Sequence, residues 1–98
     1  MRYNRSMIKS FKHKGLRLFF ETGSMRGIQP EHSSKLQRLL FVLDNAEKVE
    51  HLNLPGYNLH QLKGDLSGQY ALTVNGNWRL TFMFENKNVY ILDYQDYH

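Results

Sequence analysis

Residues 70–84 read Tyr-Ala-Leu-Thr-Val-Asn-Gly-Asn-Trp-Arg-Leu-Thr-Phe-Met-Phe, and this stretch decides the fold of the 98-residue chain. Apolar and polar residues alternate on both sides of Asn75-Gly76-Asn77, which is typical of two β-strands that each bury one face. A two-residue loop would set apolar side chains against polar ones, because a shift of one residue turns a strand over. A three-residue loop, with Gly76 or Asn77 at positive φ, instead gives one continuous apolar face. Its expected pairs are Val74 with Trp78, Leu72 with Leu80, and Tyr70 with Phe82.

The second face of this hairpin carries the polar side chains Thr73, Arg79 and Thr81. An antiparallel sheet can bury one face and leave the other in solvent. We therefore expect Arg79 to point away from the core, on a surface that we call the open face.

Two further strands are predicted beside the hairpin. Residues 57–62 alternate with a period of two and lead into a turn over residues 63–68. After a turn at residues 85–88, residues 89–94 form an aromatic and β-branched run. Together with the hairpin, these segments predict an antiparallel meander of four strands.

The first half of the chain predicts two helices. Residues 13–21 have apolar positions at helical spacing and stop before Gly23, and Pro30 suits the first turn of a second helix. The buried stripe of that second helix is expected at Leu36, Leu39, Leu40 and Leu43. With a short strand at residues 7–11, the expected class is α+β, with both helices packed on one face of the antiparallel sheet.

The composition excludes several functional classes. The chain has no cysteine, so it holds neither a disulfide nor a thiolate nucleophile. No apolar stretch approaches the roughly 20 residues that span a bilayer, and the first residues lack a signal-peptide pattern, so we expect a cytoplasmic protein without membrane contact. The five histidines lack metal-site spacing, and no phosphate-binding glycine-rich loop occurs. We expect neither a metal nor another cofactor.

Positive charge is concentrated at the front of the chain. Six of the 13 lysines and arginines precede the first acidic residue, Glu21, and the remainder carries a net charge of −2 against +4 for the whole chain. This asymmetry fits a polyanionic partner, because basic side chains that neutralise phosphates release counterions. A basic surface without a specific partner is the alternative.

Six residues of the second half are candidates for catalysis: His60, Lys63, Arg79, Asp96, Tyr97 and His98. Metal-independent RNA cleavage needs a base for a 2′-hydroxyl, cations for the charge that gathers on the phosphate, and an acid for the departing 5′-oxygen. Histidine can serve in either proton transfer, since its unperturbed pKa is about 6.5, while Arg and Lys stabilise the phosphate charge. From the residues alone, Lys63 is equally an ordinary turn lysine, His60 a structural strand histidine and Arg79 a cross-strand charge partner.

Four segments together resemble HigB toxins of the RelE/ParE superfamily. They are residues 7–16 (Met-Ile-Lys-Ser-Phe-Lys-His-Lys-Gly-Leu), 60–65 (His-Gln-Leu-Lys-Gly-Asp), 74–82 (Val-Asn-Gly-Asn-Trp-Arg-Leu-Thr-Phe) and 94–98 (Tyr-Gln-Asp-Tyr-His). Their order and spacing are similar to the family over nearly the whole chain from Met7. The resemblance implies a single toxin domain over residues 1–98, in which residues 1–6 are a candidate N-terminal extension and Met7 a candidate initiator.

The resemblance also implies a function. A HigB-like chain is a toxin of a type II toxin–antitoxin system, a ribosome-dependent endoribonuclease that cleaves mRNA in the A site of the 70S ribosome and so inhibits translation. Its implied partner is a HigA-like helix-turn-helix antitoxin, and it meets operator DNA only through the antitoxin complex. The basic residues expected to contact ribosomal RNA are Lys9, Lys12, Lys14 and Arg17.

The family resemblance assigns roles to the candidate catalytic residues. Lys63, Asp96, Tyr97 and His98 match positions tied to cleavage. We expect His98 to act in proton transfer, Asp96 to orient it or share in base catalysis, and Tyr97 to stack on a base or hold the scissile nucleotide. Lys63 and Arg79 are expected to stabilise the transition state.

Three questions stay open in the sequence. His60 and Arg79 match polar positions of the same pocket. The sequence leaves open which of His60 and His98 is the acid and which is the base. A ParE-like toxin that acts on DNA gyrase would share the fold, although it would not need an acid/base set. A non-enzymatic nucleic-acid-binding module would also use a basic front and an aromatic sheet.

Overall fold

The computed structural model describes residues 7–66 and 68–96 as two helices packed on a four-stranded sheet. The helices are α1 (Lys14–Thr22) and α2 (Ser33–Asn45), and the strands are β1 (His60–Gln61), β2 (Gln69–Asn75), β3 (Trp78–Glu85) and β4 (Asn88–Asp96). Short 3-10 helices cover Pro30–His32, Val49–Leu52 and Gly64–Leu66. The strands pair antiparallel in the order β1-β2-β3-β4. The predicted α+β class and the meander are confirmed.

Helix α1 is closed at both ends by its own sequence. The Leu16 amide donates to the Nδ1 atom of His13 at 2.9 Å, which satisfies one of the backbone N–H groups that have no partner within the first turn of a helix. At the other end Gly23 adopts φ +83°, and its amide donates to the Phe19 carbonyl at 2.8 Å. The expected helix over residues 13–21 is therefore confirmed to within one residue.

Two glycines bring the backbone of α1 against the loop that follows it. A Cβ atom at Gly15 would lie 2.5 Å from the Gly27 carbonyl oxygen, and one at Gly27 would lie 2.5 Å from the Gly15 Cα. Both neighbours are backbone atoms, which cannot swing aside as a side chain can. The contact fixes residues 27–29 relative to the start of α1.

Gly15→Ala is expected to destabilise the protein although alanine is the better helix former. Helix propensity alone would favour alanine by about 1 kcal/mol, but relieving a clash with backbone atoms is expected to cost about 3 kcal/mol, the upper end of the usual range for overpacking. Urea unfolding should therefore show a net loss of about 2 kcal/mol. Ser34→Ala in the exposed first turn of α2 is the control and should change stability little; a Gly15→Ala protein as stable as the wild type would contradict the close contact.

Helix α2 supplies the centre of the core. Its leucines face the sheet at 0 to 3% exposure, as the spacing predicts: Leu36, Leu39, Leu40 and Leu43. They pack with Leu72, Leu80 and Phe82, each fully buried on the inner face of the hairpin. Burial of this apolar surface is the main force that holds the helix layer on the sheet.

The hairpin is paired as predicted except at its tip. Tyr70 faces Phe82 and Leu72 faces Leu80, but Trp78 faces Asn75. A register shift between Thr73 and Asn75 accommodates Val74 and leaves a two-residue loop with Gly76 at φ +58°. The expected Val74–Trp78 pair is therefore wrong, because the bulge keeps Val74 buried while closing a tighter turn.

Strand β1 is shorter than the alternation over residues 57–62 predicts. Only His60 and Gln61 pair with β2 as a strand. Asn58 adopts φ +54°, a left-handed conformation that breaks an extended segment and that asparagine tolerates better than most residues. The backbone stays at the sheet edge because the Thr73 amide donates to the Tyr57 carbonyl at 2.8 Å.

The predicted first strand lies beside β4 and runs parallel to it. Ile8 bridges Val89 and Phe11 bridges Leu92, so residues 8–11, the leading segment, extend the sheet at the edge opposite β1. The carboxylate of Asp44 on α2 accepts the Met7 amide at 2.7 Å. The leading segment is thus tied to both the sheet and the helix layer.

A bulge in β4 resets which side chains face the core. The register shifts between Thr81 and Met83 on β3, and the extra residue, Ile91, sits at φ +47° with its amide donating to the Ser10 hydroxyl at 2.8 Å. Leu92 and Tyr94 then point into the core. The alternate residues of the strand end face the open side of the sheet.

Candidate functional site

The centre of the open face is a row of four residues, one from each strand. His60, Ala71, Thr81 and Asp93 lie side by side in the observed register. Ala71 is fully buried and Thr81 is 2% exposed, although both lie on the face of the sheet that is turned away from the inner residues Tyr70, Leu72 and Leu80. Neighbouring groups therefore cover them, and we call this row, which has small side chains at its centre, the trough. Thr81, expected in solvent, is instead buried at that centre.

A second row lies one step along the sheet. Arg79 sits between Thr73 and Gln95, on the open face as predicted. Its side chain is half-buried and its Nε atom is inaccessible to solvent. Partial burial strengthens the interaction of a guanidinium with an approaching phosphate, because less water screens the charge.

The wall of the trough beside Arg79 is held by a polar network. The Gln95 amide Nε2 donates to the Thr81 hydroxyl at 3.1 Å and to the Asp93 carboxylate at 3.0 Å. The other Asp93 oxygen accepts the Tyr94 amide at 2.9 Å. These contacts fix the polar side chains of β4 that face the trough.

His60 is oriented by a backbone carbonyl. Its Nδ1 lies 2.9 Å from the Asn58 oxygen. A carbonyl oxygen can only accept, so Nδ1 carries the hydrogen and the neutral ring keeps its lone pair on Nε2. The ring is exposed. His60 is therefore arranged to take a proton at Nε2 in its neutral form, or to give one in its charged form.

The expected catalytic residues are spread over the sheet. Two strand spacings and two residues along the sheet separate the Cα atoms of His60 and Arg79 by about 12 Å. Lys63 is exposed two residues after β1. Asp96 is the exposed last residue of β4 and is paired with Trp78, so strand alternation places it on the Tyr94 side of the sheet and not on the face of Arg79. Tyr97 and His98 lie outside the described residues.

Two of the basic residues expected to contact RNA lie at the sheet edge opposite His60, and two lie on α1. Lys9 and Lys12 belong to the chain that pairs with β4, and their amides donate to the Val89 and Leu92 carbonyls. Their side chains, with those of Lys14 and Arg17, are exposed. Arg17 lies 3.8 Å from Glu21 in a solvent-exposed ion pair, which adds little stability.

Sequence reasoning missed three residues of this face. Asn58 orients His60, and Asp93 with Gln95 builds the wall beside Arg79. The alternation of polar Asp93 and Gln95 with apolar Leu92 and Tyr94 could have revealed the latter two. The role of Asn58 depends on its left-handed backbone, which the alternating pattern did not reveal.

A cavity of about 610 Å³ lies elsewhere, between α1 and α2, and is lined by both helices and the loop between them. Within residues 7–66 and 68–96, no three His, Cys, Asp or Glu side chains gather as a metal site requires. Over the same ranges, none of the helices combines the length and hydrophobicity that a membrane crossing demands.

Two helices on one face of an antiparallel meander, with cationic groups on the other face, define a RelE-like toxin fold. The same fold occurs in a chain of the YoeB–YefM complex from Staphylococcus aureus, with a TM-score of 0.60 and 18% identity over 93% of this chain and 97% of that one. Residues 9–98 match the HigB-like toxin family, described as the RelE-like toxin of the type II toxin–antitoxin system HigB. The chain belongs to this family, so its partner is an antitoxin.

Two named relatives agree with this assignment. Endoribonuclease HigB of Proteus vulgaris is 48% identical over 92 residues, which is 94% of this chain and 100% of the relative. Toxin HigB-1 of Vibrio cholerae serotype O1 is 32% identical over 80 residues, covering 80% of this chain and 84% of the relative. The resemblance that the four sequence segments carry is thereby confirmed.

Proposed function

We propose that this toxin is a ribosome-dependent endoribonuclease that cleaves mRNA in the ribosomal A site by general acid/base catalysis without a metal. One observation carries the proposal: His60, with Nδ1 fixed and Nε2 available, shares the open face with the half-buried Arg79. The 48% identical relative named an endoribonuclease supports the same activity.

The chemistry joins a proton transfer to phosphate attack. A base removes the proton of a 2′-hydroxyl, whose oxygen attacks the neighbouring phosphorus as the bond to the 5′-oxygen breaks. An acid returns a proton to that oxygen, which leaves a 2′,3′-cyclic phosphate and a 5′-hydroxyl. His60 and His98 carry the two proton transfers, and Asp96 orients His98 or shares in base catalysis.

The remaining candidates bind the substrate and the charge that develops on it. Arg79 and Lys63 stabilise the phosphorane-like transition state. Tyr97 stacks on a base or holds the scissile nucleotide. The trough spans three strand spacings from His60 to Asp93, or about 14 Å, which is wide enough for one unpaired RNA strand.

Ribosome binding is assigned to the basic edge beside β4. Lys9, Lys12, Lys14 and Arg17 are exposed and available to phosphates of ribosomal RNA. Each phosphate contact releases counterions, so binding should weaken as salt rises. The substrate trough then lies on the open face of the sheet, and the ribosome-binding residues Lys9 and Lys12 lie along the edge beside β4.

The toxin family supports the assignment of the cellular partners. We assign a HigA-like helix-turn-helix antitoxin as the neutralising partner, with operator DNA reached only through the toxin–antitoxin complex. The 70S ribosome places the toxin's site of action in the cytoplasm.

His60→Gln is expected to lower the rate constant of mRNA cleavage about 100-fold, because glutamine keeps a polar side chain but cannot transfer a proton at neutral pH. The measurement is single-turnover cleavage of mRNA on programmed 70S ribosomes, read by primer extension. Reactions without ribosomes separate A-site cleavage from attack on free RNA.

His51→Gln is the matched control, since His51 is exposed on the 3-10 helix Val49–Leu52 and away from the open face. It should cleave at the wild-type rate. Full cleavage by the His60→Gln protein would refute an acid/base role for His60. If the wild-type protein binds ribosomes but does not cleave mRNA, the non-enzymatic module is favoured. Trapped gyrase–DNA complexes in arrested cells would favour the ParE-like activity.

A further inference from the structure

Four aromatic rings meet where the helix layer reaches the end of the sheet: His13, His32, Trp78 and Tyr94. Tyr94 is central, with ring centroids 4.6 Å from Trp78, 5.2 Å from His13 and 6.1 Å from His32. His32 also lies edge-on to Trp78 at 5.5 Å. Tyr94 and His32 are each 4% exposed. We call these four residues the ring cluster.

The Tyr94 hydroxyl joins this cluster to the start of the second helix through two hydrogen bonds. It lies 3.2 Å from the Gln29 amide and 2.7 Å from the His32 Nδ1. The amide can only donate, so the hydroxyl accepts this first hydrogen bond. The second joins the hydroxyl to His32 Nδ1, and its direction follows the tautomer of the imidazole.

The protonated hydroxyl is maintained by its surroundings. Burial raises the pKa of Tyr94 above its ordinary value of 10.0; the Gln29 amide opposes the rise and the negative charge of Glu31 adds to it. Tyr94 thus keeps its phenolic hydrogen at neutral pH.

The Tyr94 hydroxyl lies near the point where β4 is no longer paired with the leading segment. The leading segment pairs with β4 as far as Leu92, where the Lys12 amide donates to the Leu92 carbonyl at 2.8 Å, and the chain then turns into α1. From Asp93 to Asp96, the strand pairs with β3 on its inner side. The Tyr94 side chain adds a tie from this strand end to residues 29–32.

The other end of that tie is rigid. The contact between Gly15 and Gly27 fixes the loop two residues before Gln29. His32 is buried at the end of the 3-10 helix that opens α2. The hydrogen bonds of Tyr94 therefore connect the strand end to two points of the helix layer that have little freedom to move.

We propose that the Tyr94 hydroxyl is a positioning group for RNA cleavage, which holds the end of β4, and with it Asp96, in the place that the reaction requires. This inference rests on the proposed function, since it assigns the strand end that leads to Asp96, Tyr97 and His98 to the cleavage site. Tyr94 does not touch the substrate; it acts through the strand that it anchors.

The first test is Tyr94→Phe, which removes the hydroxyl and keeps the ring. We expect the single-turnover rate constant at saturating ribosomes to fall about 10- to 100-fold, because small displacements of reacting groups are costly. Ribosome affinity should stay within about twofold, since the basic edge is unchanged. Tyr57→Phe, which removes a hydroxyl from a half-buried tyrosine elsewhere, is the matched control and should leave rate and affinity unchanged.

Amide hydrogen exchange provides a readout that does not depend on activity. The amides of Gln95 and Asp96 should exchange faster in the Tyr94→Phe protein, while those of the buried leucines of α2 should not change. Cleavage at the wild-type rate by Tyr94→Phe, a loss confined to ribosome affinity, or unchanged exchange at residues 95–96 would each overturn the positioning role. A wild-type protein that fails to cleave would overturn the proposed function, and exchange would still decide whether the hydroxyl holds the strand end.

A second pair of variants tests the hydrogen-bond partner of the Tyr94 hydroxyl. His32→Asn offers an amide group that can donate or accept close to the place of Nδ1, whereas His32→Leu offers none. Both lose the imidazole ring, so a purely structural role predicts equal activity in folded protein. We expect the Asn variant to cleave about 10-fold faster than the Leu variant; equal rates would overturn the role of the Tyr94–His32 hydrogen bond.

Discussion

Arg79→Gln should lower the rate of ribosome-dependent cleavage between about 100-fold and 1,000-fold while the ribosome is still bound. The loss is large because the guanidinium is half-buried and carries a full positive charge toward the trough, where a phosphate gains negative charge in the transition state. Glutamine retains hydrogen-bonding capacity but no charge. The decisive measurement is the rate constant at saturating ribosomes, compared with the affinity for ribosomes in the same preparation.

Arg38→Gln makes the same chemical change on the exposed side of α2 and is the matched control. It should cleave normally and unfold at nearly the same urea concentration as the wild type. If Arg79→Gln lowers only the affinity for ribosomes, Arg79 contributes to binding and not to the reaction. If both the rate constant and the affinity are unchanged, Arg79 is not part of the site.

The apolar face of the hairpin was the most predictable part of the fold. Tyr70 faces Phe82 and Leu72 faces Leu80 because any slip of one residue would expose those side chains. The tip was not predictable in the same way, since a bulge at Val74 keeps that side chain buried and still closes a two-residue loop. Hydrophobic alternation predicts which face of a strand each side chain occupies, but it does not reveal where a bulge inserts an extra residue.

The bulge at Ile91 shows the same limit on β4. Residues 89–94 were correctly assigned to a strand, but a change of register lies within the run. A β-branched residue at positive φ is uncommon, and local sequence gives no reason to expect one. Yet this bulge determines that Asp93 and Gln95 face the trough.

The candidate site was predictable where chemistry depends on residue type and face. Arg79 was expected on the open face and lies there. The orientation of His60 was not predictable, because it depends on a carbonyl that Asn58 presents from a left-handed conformation. The burial of Ala71 and Thr81 also escaped prediction, since alternation alone places both on the solvent face of the sheet.

Removal of His98 is expected to lower cleavage at least about 1,000-fold, within the range that proton-transfer groups contribute. His98 comes two residues after Asp96 in the sequence, and β4 is paired with β3 up to the pair of Asp96 with Trp78. Every described core residue lies before it, so neither the fold nor neutralisation by the antitoxin should depend on it. Single-turnover cleavage, urea unfolding and antitoxin binding should be measured on the His98 deletion and on His98→Gln.

Combining His98→Gln with His60→Gln distinguishes a shared reaction from two separate losses. If one histidine removes a proton while the other supplies one, loss of either already disables the concerted transfer, so the double variant should be little slower than the slower single variant. Two groups with independent effects would instead multiply their losses. Multiplication would contradict a paired acid and base, and full activity of the deletion would exclude the chain end from the chemistry. The predicted outcome, near-complete non-additivity with fold and antitoxin binding preserved, would assign the two proton transfers to His60 and His98 as one catalytic unit.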